Sequence, residues 1–156
     1  MNDVLLLHKT LLAKELTLSV AESLTSGLLQ DMVGANSGAS KFFKGGLTAY
    51  GLEQKTQILG VEATHAAEVD CVSEQVAREM AIGVRKLFNS SVSIATTGYA
   101  EVYEEMNITS PFAYIAISYL DELLVVRIDV ESELSRNEVR ETVATQAISL
   151  LVSHLN

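Results

Sequence analysis

The chain has 156 residues, 48% of them hydrophobic, with 20 acidic against 11 basic side chains and a formal charge of −9. That length and apolar content suit one folded domain, residues 1–156, with a sizeable core, and they exclude a disordered chain. The acidic balance argues against a nucleic-acid surface, which draws on a basic stripe.

No apolar run reaches the roughly 18 residues that a membrane span needs, so no membrane partner is expected. The opening stretch is interrupted by His8 and Lys9 and lacks a basic start and a small-residue cleavage site. It does not read as a signal peptide, and a cytoplasmic protein is expected. Cys71 is the only cysteine, which rules out an intramolecular disulfide and a cysteine metal cluster. His8, His65 and His154 are scattered, without metal-ligand spacing, and His154 is expected at an exposed helix end.

Asn2 to Lys14 reads as a helix, with apolar residues at Val4, Leu5, Leu7, Leu11 and Leu12. Residues 16–21 form a short buried strand. Ser23 to Val33 reads as a helix ended near Gly34, followed by a turn-rich loop over 34–41. Residues 42–51 read as a strand, and Gly45-Gly46 inside it suggests a bulge or a close backbone approach. A short helix over 52–60 closes at Gly60. Residues 71–89 carry the clearest helical pattern, with Ser73 as its cap and Val76, Met80, Val84 and Leu87 at helical spacing. A strand over 91–98 ends in Thr-Gly, and a polar loop spans 101–111, with Glu101, Glu104 and Glu105 solvated. Two strands then meet in a tight hairpin at Asp121-Glu122. Ser135 to Leu155 is a final helix, with Arg136 and Arg140 on one face near its start. Helices alternating with strands, then a hairpin, predict a three-layer α/β/α sandwich on a mixed, mostly parallel sheet.

Three places can carry chemistry, and each has a plainer reading. The first is Glu22-Ser23-Leu24-Thr25-Ser26-Gly27, where a strand feeds a helix. Open α/β sheets place ligands there, and free backbone N–H groups can hold a phosphate or an oxyanion. Ser23 is either a nucleophile beside a base or the N-cap of the helix. The second is Gly45-Gly46 with Tyr50 and Lys55. A lysine shielded from water has a lowered pKa and can act as the base for a serine; the plainer reading is a solvated helix lysine. The third is Thr96-Thr97-Gly98, at a ligand edge of the sheet or in a simple glycine turn. Cys71 reads as a packed small hydrophobe.

The order of these pieces resembles the C-terminal amidohydrolase domain of the CinA family, the nicotinamide-nucleotide amidases, over nearly the whole chain. Ala21-Glu22-Ser23-Leu24-Thr25-Ser26-Gly27 matches that family's A-E-S-C-T-G-G turn. Phe43-Lys44-Gly45-Gly46-Leu47-Thr48-Ala49-Tyr50 matches its aromatic-x-G-G-x-x-A-Y segment, with Lys55 ahead of Leu59-Gly60-Val61. Val72 to Ala77, Thr97-Gly98, and Arg136 with Val139-Arg140 match the rest. The resemblance implies a three-layer α/β/α fold, often self-associated as a dimer or larger homo-oligomer. It implies hydrolysis of the carboxamide of nicotinamide mononucleotide to nicotinate mononucleotide and ammonia, a step of pyridine nucleotide salvage, with no cofactor and no metal. Carried over, Ser23 is the nucleophile, Lys55 the base or electrostatic partner, and Tyr50 and Thr97 line the pocket. Backbone N–H groups at Thr25, Ser26 and Gly27 bind substrate or oxyanion, while Gly45, Gly46 and Gly98 allow close approach. Arg140 is a candidate for meeting the phosphate. The chain departs from the family at Leu24, at Ser26, which is expected to crowd a backbone built for close approach, and along the acidic Tyr99–Glu105 segment, which replaces a Gly/Pro-rich loop. Those departures motivate an alternative, a catalytically impaired homologue that acts as a ligand-binding or interaction module.

Overall fold

Asn2 opens the first helix, α1 (Asp3–Ala13), its side chain accepting from the Val4 N–H at 2.9 Å. The protein is seen here in a computed structural model that describes residues 2–156. After α1 come β1 (Leu18–Glu22), α2 (Leu28–Gly34), β2 (Phe43–Thr48), α3 (Leu52–Leu59), α4 (Ala63–Glu68) and α5 (Glu74–Phe88). β3 (Val92–Tyr99), β4 (Phe112–Tyr119), β5 (Glu122–Asp129) and α6 (Arg136–Leu155) complete the chain.

The sheet order is β2-β1-β3-β4-β5. β1 lies parallel to both β2 and β3, and β4 runs antiparallel to β3 and β5. β4 alone therefore opposes the other strands, which gives the mixed sheet that the element pattern predicts. The chain leaves β1 outward to β2, then crosses back to reach β3 on the other side. Such a reversal opens a crevice beyond the carboxyl ends of the adjacent strands β1 and β3.

Alternation along the strands sorts side chains between two cores. Leu18, Val20, Ile94, Ile115 and Ile117 face α1, α2 and α6, where Leu7, Leu11, Leu29, Ile148 and Leu151 meet them. The opposite face carries small residues, Ser19, Ala21, Ser93, Ala95 and Ala116, and α5 packs on it. Small side chains let α5 sit close enough for hydrogen bonds. Ser19 Oγ donates to the Val84 carbonyl at 3.3 Å, and Ser93 Oγ to the Ala81 carbonyl at 2.6 Å.

A bulge falls at Lys44, just ahead of the doublet Gly45-Gly46. Leu18 pairs with Phe43 but Ser19 with Gly45, so Lys44 is the extra residue. A Cβ on Gly46 would stand 2.7 Å from the Val20 carbonyl oxygen and 2.8 Å from the Gln30 side chain, so glycine is required.

Several boundaries differ from the expected ones. The helix expected from Ser23 begins at Leu28, because Ser26 and Gly27 hold left-handed φ values of 47° and 96° that no α-helix passes through. The hairpin turns at Leu120-Asp121, one residue early, and Glu122 pairs with Tyr119. α4 has no counterpart in the sequence reading, since six residues are too few to show a period. His154 is not exposed at the helix end; it is half-buried, 3.2 Å from the Glu122 carboxylate and edge-on to Tyr119. Among the described residues, no helix is long and apolar enough to cross a membrane.

Candidate active site

Beyond the carboxyl ends of β1 and β3 lies a pocket of about 440 Å³, lined by Ser23, Tyr50, Lys55, Asp70, Thr97, Tyr99 and Arg136 among others. That volume is in the range of small-ligand sites.

Ser23 is the first residue after β1. The residue before it explains the local fold. The Glu22 carboxylate is fully buried and accepts from the N–H groups of Leu29 (2.8 Å) and Gln30 (3.1 Å) and from Gln30 Nε2 (2.7 Å). Glu22 therefore satisfies the open amides at the start of α2, and the cap reading of Ser23 is corrected. The same carboxylate occupies the helix end that was expected to receive a ligand anion.

Ser23 Oγ lies 2.8 Å from Lys55 Nζ. Lys55 is 1% exposed, not a solvated helix lysine, and its Nζ also lies 2.8 Å from the carbonyl oxygens of Ala49 and Tyr50. Burial pushes the amine below its ordinary value of 10.5, with Cys71 and Asp70 pulling the other way. Three oxygens around one nitrogen can be satisfied in two ways. The ammonium donates to all three. The neutral amine donates to the two carbonyls and turns its lone pair to the Ser23 hydroxyl, which is the geometry of a general base.

Thr97 Oγ1 donates to the Cys71 carbonyl at 2.7 Å and so ties the segment before α5 to β3. Gly98 permits β3 and β4 to touch: a Cβ there would meet the Phe112 carbonyl and stand 2.6 Å from Ala113 Cα. Asp70 and Cys71, which form the facing wall, both hold left-handed backbone, at φ 50° and 61°. Two such non-glycine residues in succession store strain at the site. Asp70 accepts from the Tyr99 hydroxyl at 3.1 Å, and burial together with Asp70 pushes that phenol up to about 12. Burial raises the Cys71 thiol, so Cys71 is held as thiol, not as a reactive thiolate.

At the rim, Arg136 forks between two loops. Its Nη2 donates to the Tyr50 hydroxyl at 2.8 Å and its Nη1 to Glu101 Oε1 at 2.7 Å. Glu101 is thus an ion-pair partner of the site, not only a solvated loop residue.

Of the residues picked from sequence, Ser23, Tyr50, Lys55, Thr97 and Gly98 come together on the pocket wall. The others lie outside the lining. Thr25 is buried, its Oγ1 2.8 Å from Thr96 Oγ1. Ser26 is exposed, so its side chain crowds nothing, and its departure from glycine bears on φ alone. Gly27 caps α2, and Gly45 and Gly46 of β2 pair with Ser19 and Val20, just after the bulge at Lys44. Arg140 points into the protein, donating from Nε and Nη2 to the carbonyls of Leu24 and Thr25, each at 3.0 Å. It braces the turn that presents Ser23. Asp70, Cys71 and Tyr99 were missed as site residues; no spacing in the sequence marks them. Arg136 had a signal, its place four residues before Arg140. Among the described residues, no group of three or more His, Cys, Asp or Glu side chains is arranged to hold a metal ion.

Comparison with known proteins gives a consistent result. The family model for the CinA C-terminal domain matches residues 4–155. A CinA-like protein of Flavobacterium psychrophilum is 43% identical over 94 residues, 60% of this chain and 22% of that protein. The Mycoplasma pneumoniae protein called MG115 homolog is 33% identical over 155 residues, 96% of this chain and 94% of its own. The crystal structure of the competence or damage-inducible protein from Enterobacter asburiae superposes with a TM-score of 0.92 at 26% identity, covering 99% of this chain and 96% of that one. The chain spans about a fifth of the length of several curated relatives that it matches.

Proposed function

This chain belongs to the CinA C-terminal domain family, and from that premise we propose that it hydrolyses the carboxamide of nicotinamide mononucleotide, with Ser23 as nucleophile and Lys55 as base. The observation that carries the reading is the environment of Lys55 Nζ, a buried amine 2.8 Å from one hydroxyl and from two carbonyl oxygens. The carbonyls fix the amine's two N–H bonds, and the lone pair takes the Ser23 proton. Ser23 Oγ then adds to the carboxamide carbon. The tetrahedral adduct collapses by breaking the C–N bond, and the proton held on Lys55 leaves with ammonia. Water, deprotonated by the same amine, opens the acyl-serine to nicotinate mononucleotide and restores Ser23. Each step conserves charge and needs no redox partner.

Tyr50, Tyr99 and Tyr103 supply aromatic walls for a flat heterocycle. The reading includes a cytoplasmic setting and self-association as a dimer or larger homo-oligomer, the latter open to sizing of the purified protein. The deciding experiment is ammonia release from nicotinamide mononucleotide. Release by the native protein and its loss in Ser23→Ala support the proposal. No release at high protein and substrate concentration overturns it and leaves the ligand-binding module.

A further inference from the structure

The pocket rim holds one arginine, and that arginine is already engaged. Arg136 is the first residue of α6, where the helix end also favours negative charge. Its guanidinium offers a planar fork suited to carboxylates and phosphates. One arm rests on the neutral Tyr50 hydroxyl and the other on the Glu101 carboxylate, at 2.8 and 2.7 Å. Glu101 comes from the loop after β3, thirty-five residues away in sequence, and both partners line the pocket. The pair is solvent-accessible, with side chains 45% and 61% exposed. An exposed pair of this kind contributes little and exchanges readily. The other basic side chain in the lining is Lys55, which is buried and committed to Ser23, Ala49 and Tyr50.

We propose that Glu101 is a specificity-determining residue, a built-in carboxylate that stands on Arg136 where an anionic group of the ligand binds, and that must be displaced for an anionic ligand to dock. The inference rests on the reading of this pocket as the site for a carboxamide substrate, and it deepens that reading by setting the response to ligand charge. A phosphate monoester brings up to two negative charges and three acceptor oxygens to the fork, against one carboxylate, so it can win the exchange. The displaced Glu101 then remains nearby and repels it. Glu101 therefore penalises ligands that carry a phosphate and leaves uncharged tails alone.

The test compares nicotinamide mononucleotide with nicotinamide riboside, which differ by the phosphate. Binding is measured by calorimetry on the Ser23→Ala protein, so that turnover does not interfere, with and without Glu101→Gln. Glu101→Gln tightens the nucleotide by about two- to fivefold, the range that an exposed pair supports, and leaves the riboside within error. Arg136→Gln weakens the nucleotide and spares the riboside. In protein with Ser23 intact, the same selectivity is read in KM and not in kcat. Equal effects on both ligands, no effect of Glu101→Gln, or no binding of either ligand overturns the proposal. Charge-selective binding without ammonia release overturns the hydrolase reading and leaves this one standing; release that is indifferent to Glu101→Gln does the reverse.

Discussion

Replacing Lys55 by methionine tests the central argument, because methionine keeps most of the buried volume and removes the amine. A lysine with its ordinary value of 10.5 is neutral in only about one molecule per thousand near pH 7.5, and each unit of downward shift raises that fraction about tenfold. Desolvation lowers this amine, since a 1% exposed ammonium has lost nearly all its water and its hydrogen-bond partners are neutral oxygens, and that loss outweighs the opposing pull of Cys71 and Asp70. The expected profile follows. The logarithm of kcat/KM rises with pH at unit slope and levels off below 10.5. Lys55→Met loses about two to four orders of magnitude, the usual contribution of a positioned base, together with the acidic limb. Lys55→Arg keeps a positive charge but cannot deprotonate, so it is inactive as well. The assay is ammonia release across pH, with circular dichroism to confirm that each variant is folded. A folded Lys55→Arg protein with substantial activity, or a profile that levels off only at 10.5, refutes the reasoning and makes Lys55 an electrostatic partner.

Other outcomes follow from the same geometry. Glu22→Ala strips the buried carboxylate from two backbone N–H groups and from Gln30, and lowers unfolding free energy by about 2–4 kcal/mol in denaturant titration. Gly46→Ala drives a methyl against the Val20 carbonyl and Gln30, costing about 1–3 kcal/mol and lowering Tm. Tyr99 titrates near 12 in an absorbance titration, and Asp70→Asn brings it down only part of the way, because burial is the larger cause. For this raised acid the folded state holds the proton longer, so its stabilising share is full below pH 10 and is lost as pH rises through 12. A pH series of denaturant titrations in which Tyr99→Phe shows the same decline as the native protein contradicts that assignment.

The strands, the irregularity around Gly45-Gly46 and the long helices were legible because each leaves a period or a glycine in the chain, with the bulge itself one residue earlier at Lys44 and the close approach at Gly46. The start of α2 was not. A Ser-Leu-Thr-Ser run looks like a cap, and nothing local says that Glu22 turns back from the strand to take the amides. The contacting pair Ser23 and Lys55 was legible as residue types at a sheet edge, whereas the burial of Lys55 depends on Ala49, Tyr50 and the wall at Asp70-Cys71 folding over it. Arg136 and Arg140 show why a shared helix face is too coarse a guide. One turn apart, the first reaches the rim and the second grips the backbone beneath Ser23. The pocket wall at 70–71 was illegible since no glycine and no period marks the left-handed backbone at Asp70 and Cys71.

The grip of Arg140 on Leu24 and Thr25 spans 116 and 115 residues of chain. Contacts so distant form late, after the loops between them have closed. As the polypeptide leaves the ribosome, the segments bearing Ser23 and Lys55 emerge long before α6. The turn that aims the hydroxyl is complete only once α6 docks. The site is therefore timed as well as shaped: a partly made chain carries both Ser23 and Lys55 without the brace that aligns them, and the pocket is complete only with the arrival of the last helix.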